Sequence, residues 1–183
     1  TQAKITEKQP RPNRPAGEDE KGDLYNINNH YDVMKTYGKN TMDIMTGDGG
    51  FDFSNNYNSQ EQHSQKLIFS QILMVFSMLK IKGHFICKFF DIYCDLTKEF
   101  LFLLYLFFDK LYIYKPKTSR VANSERYIIC KGYKGCSILL LWEFLNVLDT
   151  WNKIEILNIN IENIIDLKET KIKSLYDHFL KKL

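Results

Sequence analysis

Three short segments of the chain combine residue types that could act on a ligand or a substrate. The first is Asp43–Phe51, in which an acid and glycines follow a short apolar stretch. In α/β folds, ligand-binding groups lie where strands end, so Asp48 is a candidate binding or catalytic carboxylate. A structural turn that uses Gly49 and Gly50 for positive φ explains the same residues equally well.

The second segment is Gly83–Asp91, an apolar run with a lysine, Lys88, near its end. Burying an ammonium group is costly unless it has a partner. Lys88 is therefore either a functional group with a partner or a side chain that extends to solvent at a strand end. The pattern alone favours the second interpretation.

The third segment is Lys115–Tyr127, a polar loop that leads into a strand. One interpretation is a solvated loop with charged ends. The other is a substrate-contacting loop that brings a carboxylate, Glu125, to the sheet edge that carries Asp48 and Lys88. The residues alone leave both open.

Around these segments, strand patterns alternate with helix patterns. An apolar stripe at helical spacing predicts a helix over Gln60–Lys80, which Gly83 would end. Strands are predicted at Met42–Met45, His84–Phe90, Leu111–Tyr114 and Tyr127–Lys131, and further helices at Asn28–Tyr37, Leu96–Phe108, Ile138–Leu148 and Glu169–Leu183. Residues 154–165 are ambiguous between helix and strand. This alternation predicts a layered α/β fold with helices on the sheet faces.

Composition sets broad limits on the class of protein. Hydrophobic residues make up 44% of the chain, which argues against global disorder. The net charge of +3 permits an RNA partner but does not argue for one. The four cysteines form no CxxC pair, which favours reduced, buried thiols over a metal site or a disulfide framework. The longest apolar run, Phe100–Phe108, is short of the ~20 residues of a membrane span, so no membrane partner is expected.

Three regions follow from the composition along the chain. Residues 1–22 carry three of the four prolines and many charges, which predicts a flexible arm or loop. Residues 23–135 hold the alternating pattern, and residues 136–183 form a helical extension. The N-terminus is polar and does not look like a secretory signal. The first residue is Thr, so we expect the chain to be part of something longer.

The strings GHFICKFFD and KPKTSRVANSERYIICKGYKG, together with DGGFDFS, resemble the FtsJ-like ribose 2′-O-methyltransferases. They are most similar to the branch that acts on the mRNA cap, over roughly residues 22–135. The resemblance implies a doubly wound, Rossmann-like fold that binds S-adenosylmethionine (SAM), here without its N-terminal strands. The last strand would lie antiparallel between its two predecessors, with Met42–Met45 at a sheet edge.

The resemblance also assigns roles to residues. The family works with a Lys-Asp-Lys-Glu tetrad, whose last three members match Asp48, Lys88 and Glu125. The first lysine of the tetrad and the glycine-rich cofactor loop have no match in these 183 residues. The cofactor-binding residues that the resemblance implies are Asp23, Leu24 and Asp48. The residues that it places on the capped RNA are Asn58, Ser59, Gln60, Arg120 and Asn123.

The implied reaction transfers a methyl group from SAM to the ribose 2′-hydroxyl of the first transcribed nucleotide of capped mRNA, without a metal. A lysine can take the hydroxyl proton only while it is neutral, and a second lysine nearby would favour that form. Asp48 and Glu125 would orient the amines. Capped mRNA is the implied partner, with other capping or transcription machinery beside it. The implied location is the nucleus, or the cytoplasm for a viral protein.

Two alternatives remain open from the sequence. One is an RNA-binding or scaffold module of the same fold that is catalytically incomplete, which the missing glycine-rich loop supports. The intact Asp48, Lys88 and Glu125 argue against it, because a binding module has no need of all three. The other is a 2′-O-methyltransferase of the same fold that acts on ribosomal or transfer RNA, against which the cap-type strings argue.

A first prediction concerns the cofactor. Because the sequence holds no G-x-G-x-G-type loop, this chain should bind SAM with a millimolar dissociation constant or weaker, about −4 kcal/mol or less favourable. Isothermal titration calorimetry tests this expectation. A micromolar dissociation constant would contradict it.

Overall fold

The computed structural model of the chain describes residues 22–49, 60–120, 123–155, 162–165 and 170–183. These residues form a mixed α/β fold of four strands and five helices. In chain order the elements are α1 (Ile27–Tyr37), β1 (Met42–Gly47), α2 (Gln60–Met78), β2 (Leu79–Phe89), α3 (Asp95–Phe107), β3 (Phe108–Tyr114), β4 (Arg126–Tyr133), α4 (Ile138–Glu155) and α5 (Thr170–Leu180).

The four strands form one sheet in the order β1-β2-β4-β3. Strands β1 and β2 are parallel, whereas β4 is antiparallel to both β2 and β3. The predicted position of the last strand, between its two predecessors, is therefore confirmed. Within the described residues β1 lies at the edge of the sheet, as the resemblance implied.

The prediction that Gly83 ends a helix is wrong, because Gly83 lies inside β2. Helix α2 passes directly into β2 at Leu79, and the pairing of β2 with β1 shifts register over the next few residues. This bulge contains Lys82 at a φ of 68°. A Cβ on Gly83 would lie 2.8 Å from the side chain of Leu79 and from the carbonyl oxygen of Lys80. The glycine therefore allows the strand to fold back on itself locally.

Side chains on β2 alternate between a buried and a partly exposed face of the sheet. Phe85, Cys87 and Phe89 are almost completely buried. The Sγ atom of Cys87 lies 3.5 Å from Oε1 of Gln71 on α2, so this is the face on which α2 packs. The opposite face remains partly exposed in the described part of the chain, and Lys88 lies on it. The face that each β2 residue occupies thus follows from the period of two along a strand.

The C-terminal helices share the core of the sheet-bearing region. Phe69 of α2 packs against Phe144 and Trp151 of α4, with ring centroids 6.4 and 6.1 Å apart. Phe179 of α5 packs against Phe102 of α3 at 5.6 Å. All five belong to one cluster of buried residues. Helices α4 and α5 of the predicted helical extension are therefore part of the same hydrophobic core.

Two boundaries in this region differ from the sequence-based prediction. Helix α4 continues to Glu155, beyond the predicted end at Leu148, because Trp151 is buried against α2 and extends the apolar face by a turn. On α5, Tyr176 and Phe179 are buried, but Leu175 and Leu180, which were expected on the same side, are 51% and 37% exposed.

Burial of the thiols agrees with the expectation for two of the four cysteines. Cys87 and Cys130 are buried and Cys94 and Cys136 are half-buried, all as free thiols. Burial raises the pKa of Cys130 to about 12, so this thiol stays protonated at neutral pH. No helix among the described residues has the length and apolarity that crossing a membrane requires.

A second prediction tests whether α4 belongs to the common core. Leu141→Ala, at a fully buried position, should lower the free energy of unfolding by about 2–5 kcal/mol. Both tryptophans lie on α4, so their fluorescence reports this helix, whereas far-UV circular dichroism reports the whole chain. Both signals should shift together in urea.

Leu139→Ala is the matched control, because Leu139 is 75% exposed on the same helix. Its effect should stay within about 0.5 kcal/mol. If Leu141→Ala moved the fluorescence transition and left the circular-dichroism transition in place, α4 would be an independent appendage.

Candidate active site

Three strands bring the candidate catalytic residues to one edge of the sheet. Asp48 directly follows β1, and Lys88 is the last but one residue of the parallel strand β2. Glu125 directly precedes β4, which runs in the opposite direction. The carboxyl ends of β1 and β2 and the amino end of β4 therefore meet, and the three side chains belong to the same end of the fold.

Lys88 and Asp48 form an ion pair. The ammonium Nζ lies 2.9 Å from Oδ1 of Asp48 and also donates a hydrogen bond to the backbone oxygen of Asp48 at 3.4 Å. The side chain of Lys88 is only 15% exposed, whereas that of Asp48 is 67% exposed. The interpretation of Lys88 as a lysine that extends to solvent is therefore wrong, because its side chain is only 15% exposed and its ammonium pairs with Asp48.

Glu125 is held by two residues of its own loop and strand. Its carboxylate accepts a hydrogen bond from the hydroxyl of Tyr127 at 2.7 Å and one from Nδ2 of Asn123 at 3.5 Å. Its backbone N–H donates to Oδ1 of Asn123 at 3.1 Å. In the described part of the chain no hydrogen bond or ion pair joins Glu125 to Lys88.

Tyr127 lies between Glu125, to which it bonds, and Lys88, its neighbour across the sheet. It is the direct partner of Lys88 in the β2–β4 ladder. Its hydrogen bond to Glu125, followed by burial and the negative charges of Asp48 and Glu125, raises its pKa to about 12. Tyr127 thus remains a hydrogen-bond donor at neutral pH. Sequence reasoning missed it, although its spacing of two from Glu125 could have indicated a shared face of the strand.

Two cations hold the loop that precedes β4. Lys115, at the end of β3, donates from Nζ to the carbonyl oxygens of Asn123 and Glu125. Arg126 donates to the carbonyl oxygen of Ser124 and to Oδ1 of Asp91, both at 3.3 Å. The backbone of the loop is therefore anchored on both sides of Glu125, which fixes the position from which its side chain extends.

The residues expected to contact RNA are only partly brought together. Ser124 donates from Oγ to Oε1 of Gln60 at 3.2 Å, which places Gln60 beside the residue that follows Asn123. Arg120 is exposed, and its carbonyl oxygen accepts a hydrogen bond from the N–H of Asn123 at 3.0 Å. Asn58 and Ser59 lie outside the described residues.

Asp23 and Leu24 form a tight turn before α1. Oδ1 of Asp23 accepts the N–H of Tyr25 at 2.8 Å, and the backbone oxygen of Asp23 accepts Nδ2 of Asn29 at 2.8 Å. The backbone oxygen of Leu24 lies 2.8 Å from Nε2 of His30. These bonds leave the residue Asp23 exposed while the backbone of the turn is fixed.

This turn lies at the same end of the fold as Lys88. The ammonium of Lys66, on α2, lies 4.6 Å from the ring centre of Tyr25. Lys66 is six residues into α2, about 9 Å along the helix from Gln60, which contacts the loop before β4. No hydrogen bond or ion pair joins Asp23 to Asp48, Lys88 or Glu125 within the part of the chain that the structure describes.

SAM fits these residues at its adenosine end. Asp23 and Asp48 both present exposed carboxylates at this end of the fold. Carboxylates accept hydrogen bonds from hydroxyl and amino groups, which the adenosine carries. The described residues offer no comparable set for the methionine end of the cofactor.

The glycines around Asp48 have a packing reason rather than a conformational one. A Cβ on Gly47 would lie 2.0 Å from Oε1 of Gln71, and one on Gly49 would lie 2.6 Å from its Nε2. Gly49 is not among the residues with positive φ, so the turn interpretation fails for it, and Gly50 lies outside the described residues. Small residues are needed here because α2 packs directly on the end of β1.

Comparisons with known proteins identify the family of the chain. The sequence profile of the FtsJ-like methyltransferases matches residues 3–133. The human cap-specific mRNA (nucleoside-2′-O-)-methyltransferase 1 is 40% identical over 102 residues, 56% of this chain and 12% of the human protein. The protein of that name from Dictyostelium discoideum is 34% identical over 169 residues, 90% of this chain and 21% of its own length.

A solved structure supports the fold. A chain described as a ribosomal RNA methyltransferase from Plasmodium falciparum superposes with a TM-score of 0.50 at 21% identity, over 70% of this chain and 68% of that one. At this identity the likeness concerns the fold alone. The chain spans a small part of the curated relatives that it matches, 12% of the human protein.

A third prediction follows from the bond between Tyr127 and Glu125. Glu125→Gln removes a negative charge and a charge-assisted hydrogen bond, so the pKa of Tyr127 should fall from about 12 towards its ordinary value near 10. Carbon-13 NMR of ring-labelled tyrosine, followed up to about pH 11, should show Tyr127 ionising in the variant but not in the original chain.

Glu143→Gln is the control, because Glu143 is exposed on α4. It should leave the titration of Tyr127 unchanged. An unchanged Tyr127 titration in Glu125→Gln would mean that the hydroxyl does not bind this carboxylate in solution.

Proposed function

The chain belongs to the FtsJ-like methyltransferase family, and from that premise we propose that it forms part of an enzyme that makes cap-1 mRNA. The proposed reaction transfers a methyl group from SAM to the ribose 2′-hydroxyl of the first transcribed nucleotide. The observation that carries the proposal is the meeting of Asp48, Lys88 and Glu125 at one sheet edge. The names of the relatives at 34–40% identity support mRNA cap methylation as the activity.

Lys88 is the proposed general base. The ribose hydroxyl is a poor nucleophile and must lose its proton as the new bond to the methyl carbon forms. When bound, SAM supplies that methyl group on a positively charged sulfonium. The amine of Lys88 can accept the proton only in its neutral form, and the contact with Asp48 at 2.9 Å fixes its position. By resemblance, the family's first lysine would be a second cation near Lys88 and would favour the neutral form of its amine.

Asp48 and Glu125 act by position. Asp48 fixes the direction of the Lys88 amine, because the ammonium bonds to both its carboxylate and its backbone oxygen. Glu125 is fixed by Tyr127 and Asn123, so its carboxylate meets the reacting groups without a search for its orientation. Orientation of this kind is effective in catalysis because its entropic cost is met during folding.

The ligand contacts follow the same end of the fold. We assign Asp23, Leu24 and Asp48 to the adenosine end of SAM, on the strength of the exposed acids there. The RNA would lie along the loop before β4 and the start of α2, where Ser124 joins Asn123 to Gln60. Arg120 is exposed on that loop and would contact the phosphate backbone. Asn58 and Ser59 complete the proposed RNA contacts by resemblance.

Location and partners follow from the proposed activity. An enzyme that acts on the first transcribed nucleotide meets its substrate where mRNA is capped, which is the nucleus, or the cytoplasm for a virus that caps its RNA there. Capped mRNA is the proposed partner, and other capping or transcription machinery would be found beside it.

A catalytically incomplete RNA-binding module is the second candidate, favoured by the absence of a glycine-rich loop from the sequence. Two RNA substrates separate the candidates: a capped oligonucleotide and the same sequence with a 5′ triphosphate. Methyl transfer to the first nucleotide of the capped RNA supports the enzyme. Equal binding of both RNAs with no transfer would support the binding module. A fragment of ribosomal RNA is a further substrate, and transfer to an internal nucleotide of it would support a methyltransferase of the same fold that acts on ribosomal RNA.

A fourth prediction concerns Lys88 in the active enzyme. Lys88→Ala should reduce turnover by ~10² to 10⁴, the usual loss when a general base is removed. Lys88→Arg should be about as damaging, because an arginine cannot give up its proton at any useful pH. The measurement is single-turnover methyl transfer to a capped oligonucleotide, with a binding titration at fixed salt.

Lys173→Arg on the exposed surface of α5 is the control and should keep the full rate. Binding of the capped RNA should change little in any of the variants, since phosphate contacts from other residues dominate affinity. A Lys88→Arg variant that kept most of its rate would show that Lys88 is a positive clamp rather than a base.

A further inference from the structure

Helix α4 reaches the turn before α1 through a direct hydrogen bond. The side-chain amide of Asn152 donates from Nδ2 to the backbone oxygen of Tyr25 at 2.7 Å. The two residues are 127 positions apart in the chain, and Asn152 is half-buried at the contact. A bond of this length to a backbone oxygen restrains the chain at the residue that directly follows Asp23 and Leu24.

A second set of contacts joins α4 to the same turn through α2. Glu155, one turn further along α4, forms an ion pair with Lys66 of α2. The side chain of Lys66 is 10% exposed, and its ammonium lies 4.6 Å from the ring centre of Tyr25. Glu155 of α4 thus holds the Lys66 ammonium over the ring of Tyr25. Helix α4 therefore restrains Tyr25 twice, directly at its backbone and through Lys66 at its ring.

The segment that these contacts restrain is the turn from Gly22 to Asn26. Its internal bonds are short range: Asp23 caps the N–H of Tyr25, and Asn26 caps the N–H of Asn28 at 3.0 Å. Gly22 has a φ of 72°, a left-handed backbone conformation that glycine adopts readily. Asn29 and His30 of α1 also bond to the backbone oxygens of Asp23 and Leu24, so the bonds of the turn are otherwise local in sequence. The contacts from α4 add a long-range restraint on the same turn.

We propose that α4 is a brace that holds this turn in its ligand-binding geometry, with Asn152 as a positioning residue for the adenosine end of the cofactor. The inference rests on the proposed function in one respect, the assignment of Asp23 and Leu24 to the cofactor. It gives the C-terminal extension a role: a helix that follows the methyltransferase core in sequence orders a cofactor-facing turn that precedes it.

The first test is hydrogen exchange of backbone amides, read residue by residue by NMR on the full chain. Asn152→Ala should accelerate exchange at Tyr25, Asn28 and Asn29 by about fivefold to tenfold, the effect of one lost hydrogen bond. Asn152→Asp should do the same, because it keeps the shape of the side chain but has no N–H to donate. Amides in β2 and β4 should exchange at their original rates, which excludes general destabilisation.

Asn146→Ala is the matched control, since Asn146 is an exposed asparagine on the same helix. It should leave the turn amides unchanged. Unchanged exchange at Tyr25 and Asn28 in Asn152→Ala would overturn the brace, while the proposed function, which depends on Lys88, would stand.

The second test is an NMR titration with SAM, which suits weak binding and needs no turnover. The amide signals of Asp23 and Leu24 should move on addition of SAM, and at a fixed SAM concentration the movement should fall about fivefold in Asn152→Ala. Faster exchange with an undiminished SAM response would overturn the positioning role. No response at either amide in the original chain up to about 10 mM SAM would overturn the assignment of this turn to the cofactor, and the inference with it.

Discussion

The antiparallel insertion of β4 between β2 and β3 is the constraint on which the candidate site depends. Parallel strands β1 and β2 place their carboxyl ends together, and thus Asp48 beside Lys88. If β4 ran parallel to β2, its first residue, and Glu125 before it, would lie at the opposite end of the strands from Asp48 and Lys88. Because β4 runs in the opposite direction, it begins beside the carboxyl end of β2, with Tyr127 directly opposite Lys88. Lys115, which directly follows β3, bonds to the carbonyl oxygens of Asn123 and Glu125 just before β4.

Lys88 shows how one buried charge organises its surroundings. The side chain of Lys88 is only 15% exposed, so its charge needs a partner, and Asp48 supplies one directly after the neighbouring strand. The position of Asp48 in turn depends on close packing of α2 on the end of β1, where Gly47 leaves room for Gln71. The chemistry at the sheet edge is therefore coupled to the packing of the core beneath it.

Helix α2 carries polar residues that would be costly in a core without partners. Glu61 accepts the N–H groups of Tyr93 and Cys94 at 3.2 and 2.8 Å, and so fixes the loop that begins α3. Lys66 pairs with Glu155 of α4. These bonds allow the polar residues of α2 to be buried, so the helix is buried on nearly all sides. Its sequence accordingly separates a polar from an apolar face less clearly than that of a surface helix. The Lys66–Glu155 pair joins α2 to α4, and the Lys66 ammonium also lies over the ring of Tyr25, just before α1.

The sequence by itself determined the alternation of strands and helices, the family, and the residue types at the sheet edge, because periodicity and motif strings are local properties of the chain. It did not determine that Gly83 lies in a bulge or that Lys88 is buried on an acid, since both depend on neighbours distant in sequence. Only the tertiary structure decided that Tyr127 holds Glu125 and that Asn152 reaches Tyr25. The partner of Asn152 leaves no spacing signal, because it lies 127 positions away and the bond forms only once the elements have packed.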